Sequence, residues 1–144
     1  MDILTTAPGF NFDRILPFDG MADLDMSLRA PVVEVRIGDQ NLRLLVDTGA
    51  KDLILYQRRL HGPIPGKKMP VTKTLYHLGA IEDLRMVRLA GVQLGASHWE
   101  KLDGFLLDAP IDCCETLDGI LGLASLHLRR IHFDFKLNQV SWEL

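Results

Sequence analysis

The sequence predicts a mainly β domain, barrel-like or sandwich-like, and three observations carry that prediction. Apolar and polar residues alternate with a period of two from Val33 to Ile37 and again from Ile131 to Leu137. Between these stretches, clusters rich in Gly, Asn, Asp and Pro cut the chain into short apolar runs. Only one late segment, Leu123 to Arg130, has helical spacing, with Leu123, Leu126 and His127 on one face and Arg129 and Arg130 at the C-terminal end. Many short strands and one late helix suit a closed or two-layered sheet.

Taken in order, residues 1–29 stand apart. They hold Pro8, Gly9, Pro17 and Gly20 with Asp13, Asp19, Asp23 and Asp25, and show no sustained period, so they are expected to be a linker, a prosegment or an edge extension. The domain proper is expected over 30–144. Val33, Val35 and Ile37 point one way and Glu34 and Arg36 the other, as in a half-buried strand. Gly38 to Asn41 supply turn chemistry before Leu42 to Val46 resume, which makes a β-hairpin. Leu53 to Tyr56 reads as a buried strand, and Gln57 to Pro70, with three prolines and two glycines, as a loop. Val71 to His77 and Leu84 to Leu89 flank the Gly-containing connection 79–83 and predict a long hairpin. Ala90-Gly91 and Gly95-Ala96 punctuate further strands, and Gly104 to Asp108 is another apolar run. A closing hairpin is expected to turn near Asn138-Gln139.

Composition narrows the function classes. The chain has 144 residues, 47% hydrophobic and 24% charged, which matches one globular domain. A formal charge of −3 lacks the cationic surplus of a general nucleic-acid binder, and the local group Arg58, Arg59, Lys67 and Lys68 fits a solvated loop. Charged residues interrupt every apolar run short of a membrane span. Met1 to Phe12 lacks the basic and apolar regions of a secretory signal. Cys113 and Cys114 are adjacent, where disulfide geometry is hard to satisfy, so free thiols and a reducing, cytoplasmic compartment are expected. No Cys/His spacing suggests a metal site, and His61, His77, His98, His127 and His132 are scattered; neither metal nor other cofactor is expected.

The informative segment is Leu44-Leu45-Val46-Asp47-Thr48-Gly49-Ala50. An apolar strand delivers a carboxylate at its end, where burial of charge needs a reason. Two readings stand side by side: Asp47 starts an Asx-turn, or it is held there for chemistry. A second motif, Asp118-Gly119-Ile120-Leu121-Gly122, leads into the helical segment about seventy residues later.

An apolar strand entering Asp-Thr-Gly, a glycine-tipped hairpin, apolar-apolar-Gly before a short helix and a terminal hairpin together resemble the retropepsin-like aspartic proteases. That clan includes retroviral proteases, the protease-like domain of DNA-damage-inducible ubiquitin-shuttle proteins and bacterial aspartyl proteases. The resemblance covers about residues 30–144 and implies an acid-protease barrel with one short C-terminal helix, active as a homodimer. It makes Asp47 the catalytic residue and gives supporting roles to Thr48, Gly49 and Ala50. It also makes 71–89 a flap with its tip at Gly79 and assigns Ile120, Leu121 and Gly122 to the second motif. In retroviral relatives an acidic residue follows the first motif and pairs with an arginine after the second glycine. Lys51 and Leu123 stand at those positions here, so both members of that pair are absent together.

Hydrolysis of an amide without a covalent intermediate needs one group to take a proton from water and another to protonate the leaving nitrogen; two adjacent carboxylates sharing one proton do both. Only one Asp-Thr-Gly occurs in the chain. The resemblance therefore implies an aspartic endopeptidase whose second aspartate is Asp47 of another copy related by a twofold axis, with a peptide or protein as substrate. Its terminal strands, Val140 to Leu144 here, would interleave at the interface. Leu53, Ile54, Leu106 and Ile120 are candidates for apolar subsites, and equally for plain core. Two alternatives remain open: a non-catalytic dimerisation or peptide-binding module of the same fold, or one lobe of a longer two-lobed protease.

Overall fold

A computed structural model describes residues 1–5, 18–77, 80–109 and 116–144. Among them eleven strands build two sheets. The larger runs in the order β3 (Val32–Ile37), β4 (Gln40–Asp47), β9 (Gly119–Gly122), β5 (Leu53–Tyr56), β8 (Ser97–Leu107), β7 (Ala80–Leu94) and β6 (Gly66–His77). A further β3–β7 pairing at Arg36↔Gln93 and Ile37↔Val92 joins its two ends, so six strands close into a barrel and β6 extends from β7. The smaller sheet has the order β1 (Asp2–Thr5), β10 (Arg130–Asp134), β11 (Gln139–Glu143) and β2 (Gly20–Asp23).

Alternation decides what fills the barrel. Val33, Val35 and Ile37 of β3, Leu42, Leu44 and Val46 of β4, and Leu53 and Leu55 of β5 all face inward. They meet Val87, Leu89, Leu102, Leu106 and Leu121 from the facing strands, and burial of this set from water is the main stabilising term. A second apolar cluster lies outside the barrel wall: Val32, Ile54, Tyr56, Leu84, Leu107, Ala109 and Leu117. The terminal sheet packs its inner face, with Ile131, Phe133, Val140 and Trp142, against the main core. Trp142 is fully buried, and its indole N–H donates to Ser97 Oγ at 2.8 Å, tying the terminal sheet to the β7–β8 turn.

The hairpin expected around Gly38 to Asn41 forms as read, with Ile37 paired to Gln40. Four boundaries differ. The expected helix Leu123 to Arg130 is a single 3-10 turn, Leu123–Leu126, because His127 adopts the left-handed conformation (φ 54°) and ends it; Arg130 already belongs to β10. The region 57–70 holds a 3-10 turn, Gln57–Arg59, and β6 starts within it at Gly66. The 79–83 connection shrinks, since the strands stay paired to His77↔Ala80. The closing hairpin turns earlier than Asn138-Gln139: Asp134 Oδ1 accepts the N–H groups of Lys136 and Leu137, which ends β10 and leaves Phe135 and Leu137 exposed. Residues 2–5 and 20–23, which carry no sequence period, are the two outer strands of the terminal sheet.

Candidate active site

Strand β4 is apolar on its inner face and delivers Asp47 as its last residue, on the outer face and half-buried. The chain then bends through Thr48 and Gly49, both exposed, to half-buried Ala50. The Gly49 N–H donates to Asp47 Oδ1 at 2.9 Å, so the Asx-turn is real. It occupies one carboxylate oxygen and leaves the second oxygen without a hydrogen-bond donor among the described residues. The turn reading and the chemical reading are therefore compatible.

The second motif is locked beside the first by insertion of β9 between β4 and β5. Asp47 is in register with Gly122 on the parallel β4–β9 ladder, and Leu53 and Ile54 pair with Leu121 and Ile120 on the antiparallel β5–β9 ladder. Leu121 fills the barrel, whereas Ile120 faces outward and is half-buried. Gly122 has no room for a side chain: a Cβ there would collide with the carbonyl oxygen of Asp52 and lie 2.6 Å from its nitrogen. The Gly122 N–H donates to that same Asp52 carbonyl at 3.0 Å. At the other end of β9, Asp118 Oδ2 accepts the Arg43 N–H at 2.8 Å and the Asp118 carbonyl accepts the Tyr56 N–H at 2.8 Å. Asp118 thus serves as the backbone anchor that keeps β9 in register.

Register also identifies what surrounds the carboxylate. Leu45, Ile120, Ile54, Phe105 and Met86 are successive partners across β4, β9, β5, β8 and β7, so they form one outward-facing row on the face that carries Asp47. Four of the five are half-buried and Ile54 is buried. Ile54 and Ile120, two of the expected subsite residues, lie in this row. Leu53 and Leu106 point the other way, into the barrel core.

Two contacts escaped the sequence reading. The Asp52 carboxylate is paired with the ammonium of Lys73 on β6, and that ammonium stands 5.5 Å above the ring of Phe105. The partners are 21 residues apart, and only the strand register brings them together. Phe105 and Met86 could have been found from alternation, since Lys101, Asp103 and Phe105 share one face of β8 and Leu102 and Leu106 the other. Lys51 is exposed, and Leu123 lies in the main core, where an arginine would bury an unpaired charge. Gly79, Cys113 and Cys114 lie outside the described residues. No group of three metal-ligating side chains occurs among the described residues.

Two titrating groups among the described residues are perturbed. Hydrogen bonds from Ser27, foremost its backbone N–H, hold the Asp25 carboxyl below its usual range; the Arg43 guanidinium, 2.6 Å away, adds to this. The Asp103 carboxylate, hydrogen-bonded to Arg88 at 2.8 Å, raises the already high pKa of that guanidinium.

A sequence profile of the aspartyl protease family matches residues 33–124, a span that contains both motifs. No curated protein matches the chain. Among solved structures, an aspartic proteinase from Irpex lacteus is similar with TM-score 0.61 and 20% identity, over 72% of this chain and 31% of its own. A retropepsin-like aspartic protease from Rickettsia conorii is similar with TM-score 0.58 and 14% identity, over 85% of this chain and 87% of its own. This chain therefore spans less than a third of the first protein and most of the second, and at these identities the likeness is one of fold. With both motifs inside the matched span and the barrel closed around them, the chain belongs to the aspartyl protease family and has a retropepsin-like fold.

Proposed function

We propose that the protein is an aspartic endopeptidase whose active site forms when two copies bring their Asp47 carboxylates together across a twofold axis. One observation carries the reading: a single Asp-Thr-Gly, held where β4 pairs with the second motif on β9, in a chain matched to the aspartyl protease family. One carboxylate, ionised, takes a proton from the water that attacks the amide carbonyl carbon. The other, protonated, supplies the proton that the leaving nitrogen needs. Thr48 and Gly49 shape the exposed approach to the axis, and Ala50 returns the chain toward Asp52. The outward row of Leu45, Ile54, Ile120, Phe105 and Met86 offers apolar contact to substrate side chains. The β6–β7 hairpin is the flap, pairing its main chain with an extended peptide, and Gly79 is its tip.

The protease domain is residues 30–144, and residues 1–29 add β1 and β2 to its terminal sheet. Strand β11, the segment that family resemblance assigned to interleaving, is flanked by β10 and β2 and has no free edge. Strand β2 packs its Met21 carbonyl against the β7–β8 turn at Gly95. That leaves β1, with Met1 and Ile3 exposed at 50% and 45%, as the edge on which a second copy adds. The test is cleavage of an unfolded protein substrate over a dilution series, with sedimentation on the same samples. Specific activity that falls as the dimer dissociates supports the reading. A folded dimer that cleaves nothing, at any pH from acidic to neutral, contradicts it.

A further inference from the structure

The face that carries Asp47 continues past Phe105 and Met86 into a groove of about 600 Å³ whose charged residues the protease reading does not use. Lys51, from the loop after Asp47, lines it together with Lys101 and Trp99 of β8 and Arg88 of β7. Phe105 and Met86 line the groove and also belong to the outward row, so the groove is continuous with the candidate cleft. The Trp99 ring is fixed, its indole N–H donating to the Leu126 carbonyl at 3.3 Å.

The charges in the groove do not cancel. Arg88 is matched by Asp103, at 2.8 and 3.4 Å, and Asp52 by Lys73. Lys51 and Lys101 make no hydrogen bond or ion pair with any described residue. Glu100, adjacent in sequence to Lys101, is not among the residues that line the groove. Two uncompensated ammonium groups thus line the groove together with the rings of Trp99 and Phe105, on a protein whose formal charge is −3.

We infer that this groove is an extended subsite for an acidic peptide segment: carboxylates engage Lys51 and Lys101, and an apolar or aromatic side chain between them rests on Trp99 and Phe105. The inference rests on the protease reading, and it names the substrate class that the site prefers. The volume is within the usual range for a ligand site. Exposed ion pairs are individually weak, so two of them give a preference of about fivefold, which shrinks as salt rises.

The experiment measures binding without cleavage. Fluorescein-labelled decapeptides, identical except for a central Glu-Phe-Glu, Gln-Phe-Gln or Lys-Phe-Lys, are titrated by anisotropy into Asp47→Asn protein, with and without Lys51→Gln/Lys101→Gln. The expected order is Glu over Gln over Lys, with about fivefold between the first two at low salt. In the double variant that gap should close. Equal binding of the Glu and Gln peptides, or a gap that survives the double variant, overturns the inference. A preference that closes in the double variant while the unmutated protein cleaves none of these peptides upholds the groove and counts against the protease reading. Cleavage of all three peptides at equal kcat/KM does the reverse.

Discussion

The barrel and the terminal sheet solve the same packing problem in opposite ways. In the barrel, the β3–β7 pairing closes the ring, and β4, the strand that carries Asp47, is paired with β3 over Gln40–Leu45 and with β9 over Leu44–Asp47. In the terminal sheet, among the described residues, nothing closes the ring, and β1 and β2 are each strand-paired on one side only. Closure fixes the carboxylate and its turn against a rigid wall. Openness leaves strand-pairing capacity at the place where a second copy would add. The proposed site, which would need precision within one copy and association between two, would be served by that division.

The largest expected effect separates chemistry from scaffold. Asp47→Asn keeps an oxygen able to accept the Gly49 N–H, so the turn and the barrel should persist, while kcat falls by about a thousandfold or more. An unchanged melting temperature together with lost cleavage is the expected pair of readings. Gly122→Ala attacks the scaffold instead. The added methyl meets the Asp52 backbone, which cannot move without breaking the β5–β9 ladder. A loss of about 3 kcal/mol is expected, or about 10 °C in Tm by calorimetry.

Trp142→Phe is the matched perturbation of the terminal sheet. It removes the donor to the buried Ser97 hydroxyl but keeps most of the ring, and should cost about 1–2 kcal/mol. If it cost as much as Gly122→Ala, the two sheets would be one cooperative unit and the contrast drawn above would fail. Ile3→Lys, on the open edge of β1, should leave the melting of a dilute monomer unchanged and weaken association about fivefold by sedimentation. The smallest effect concerns pH. The Asp25 carboxyl titrates lower in the folded than in the unfolded chain, so its contribution is complete above the unfolded pKa and is lost as pH falls through the folded one. Asp25→Asn should therefore lower Tm slightly at neutral pH and flatten its fall below about pH 4, so that the two proteins converge in acid.

What was legible in the sequence was what is local. The Asp47 turn, the β3–β4 hairpin and the buried strand Leu53–Tyr56 follow from alternation and turn chemistry within a few residues. The insertion of β9 between β4 and β5 joins segments about seventy residues apart, and only the family resemblance anticipated their meeting. The 123–130 helix failed because tertiary context overrode propensity: Arg130 must start β10, so His127 turns left-handed after one turn. Strands β1 and β2 were illegible because each pairs with the C-terminal hairpin, more than a hundred residues away. At the site, Asp47 and Gly122 were visible as motif residues. The outward row through Phe105 and Met86 and the Asp52–Lys73 pair became visible only through register.

The central claim is that one active site uses two Asp47 carboxylates from two copies. Its most direct test is a mixed dimer, purified through two different affinity tags, in which one copy carries Asp47→Asn. The account predicts that this dimer, stable by sedimentation, cleaves an unfolded protein at the background rate of the doubly substituted dimer. Cleavage at half the rate of the unsubstituted dimer would mean that each copy works with its own aspartate, and would contradict the account.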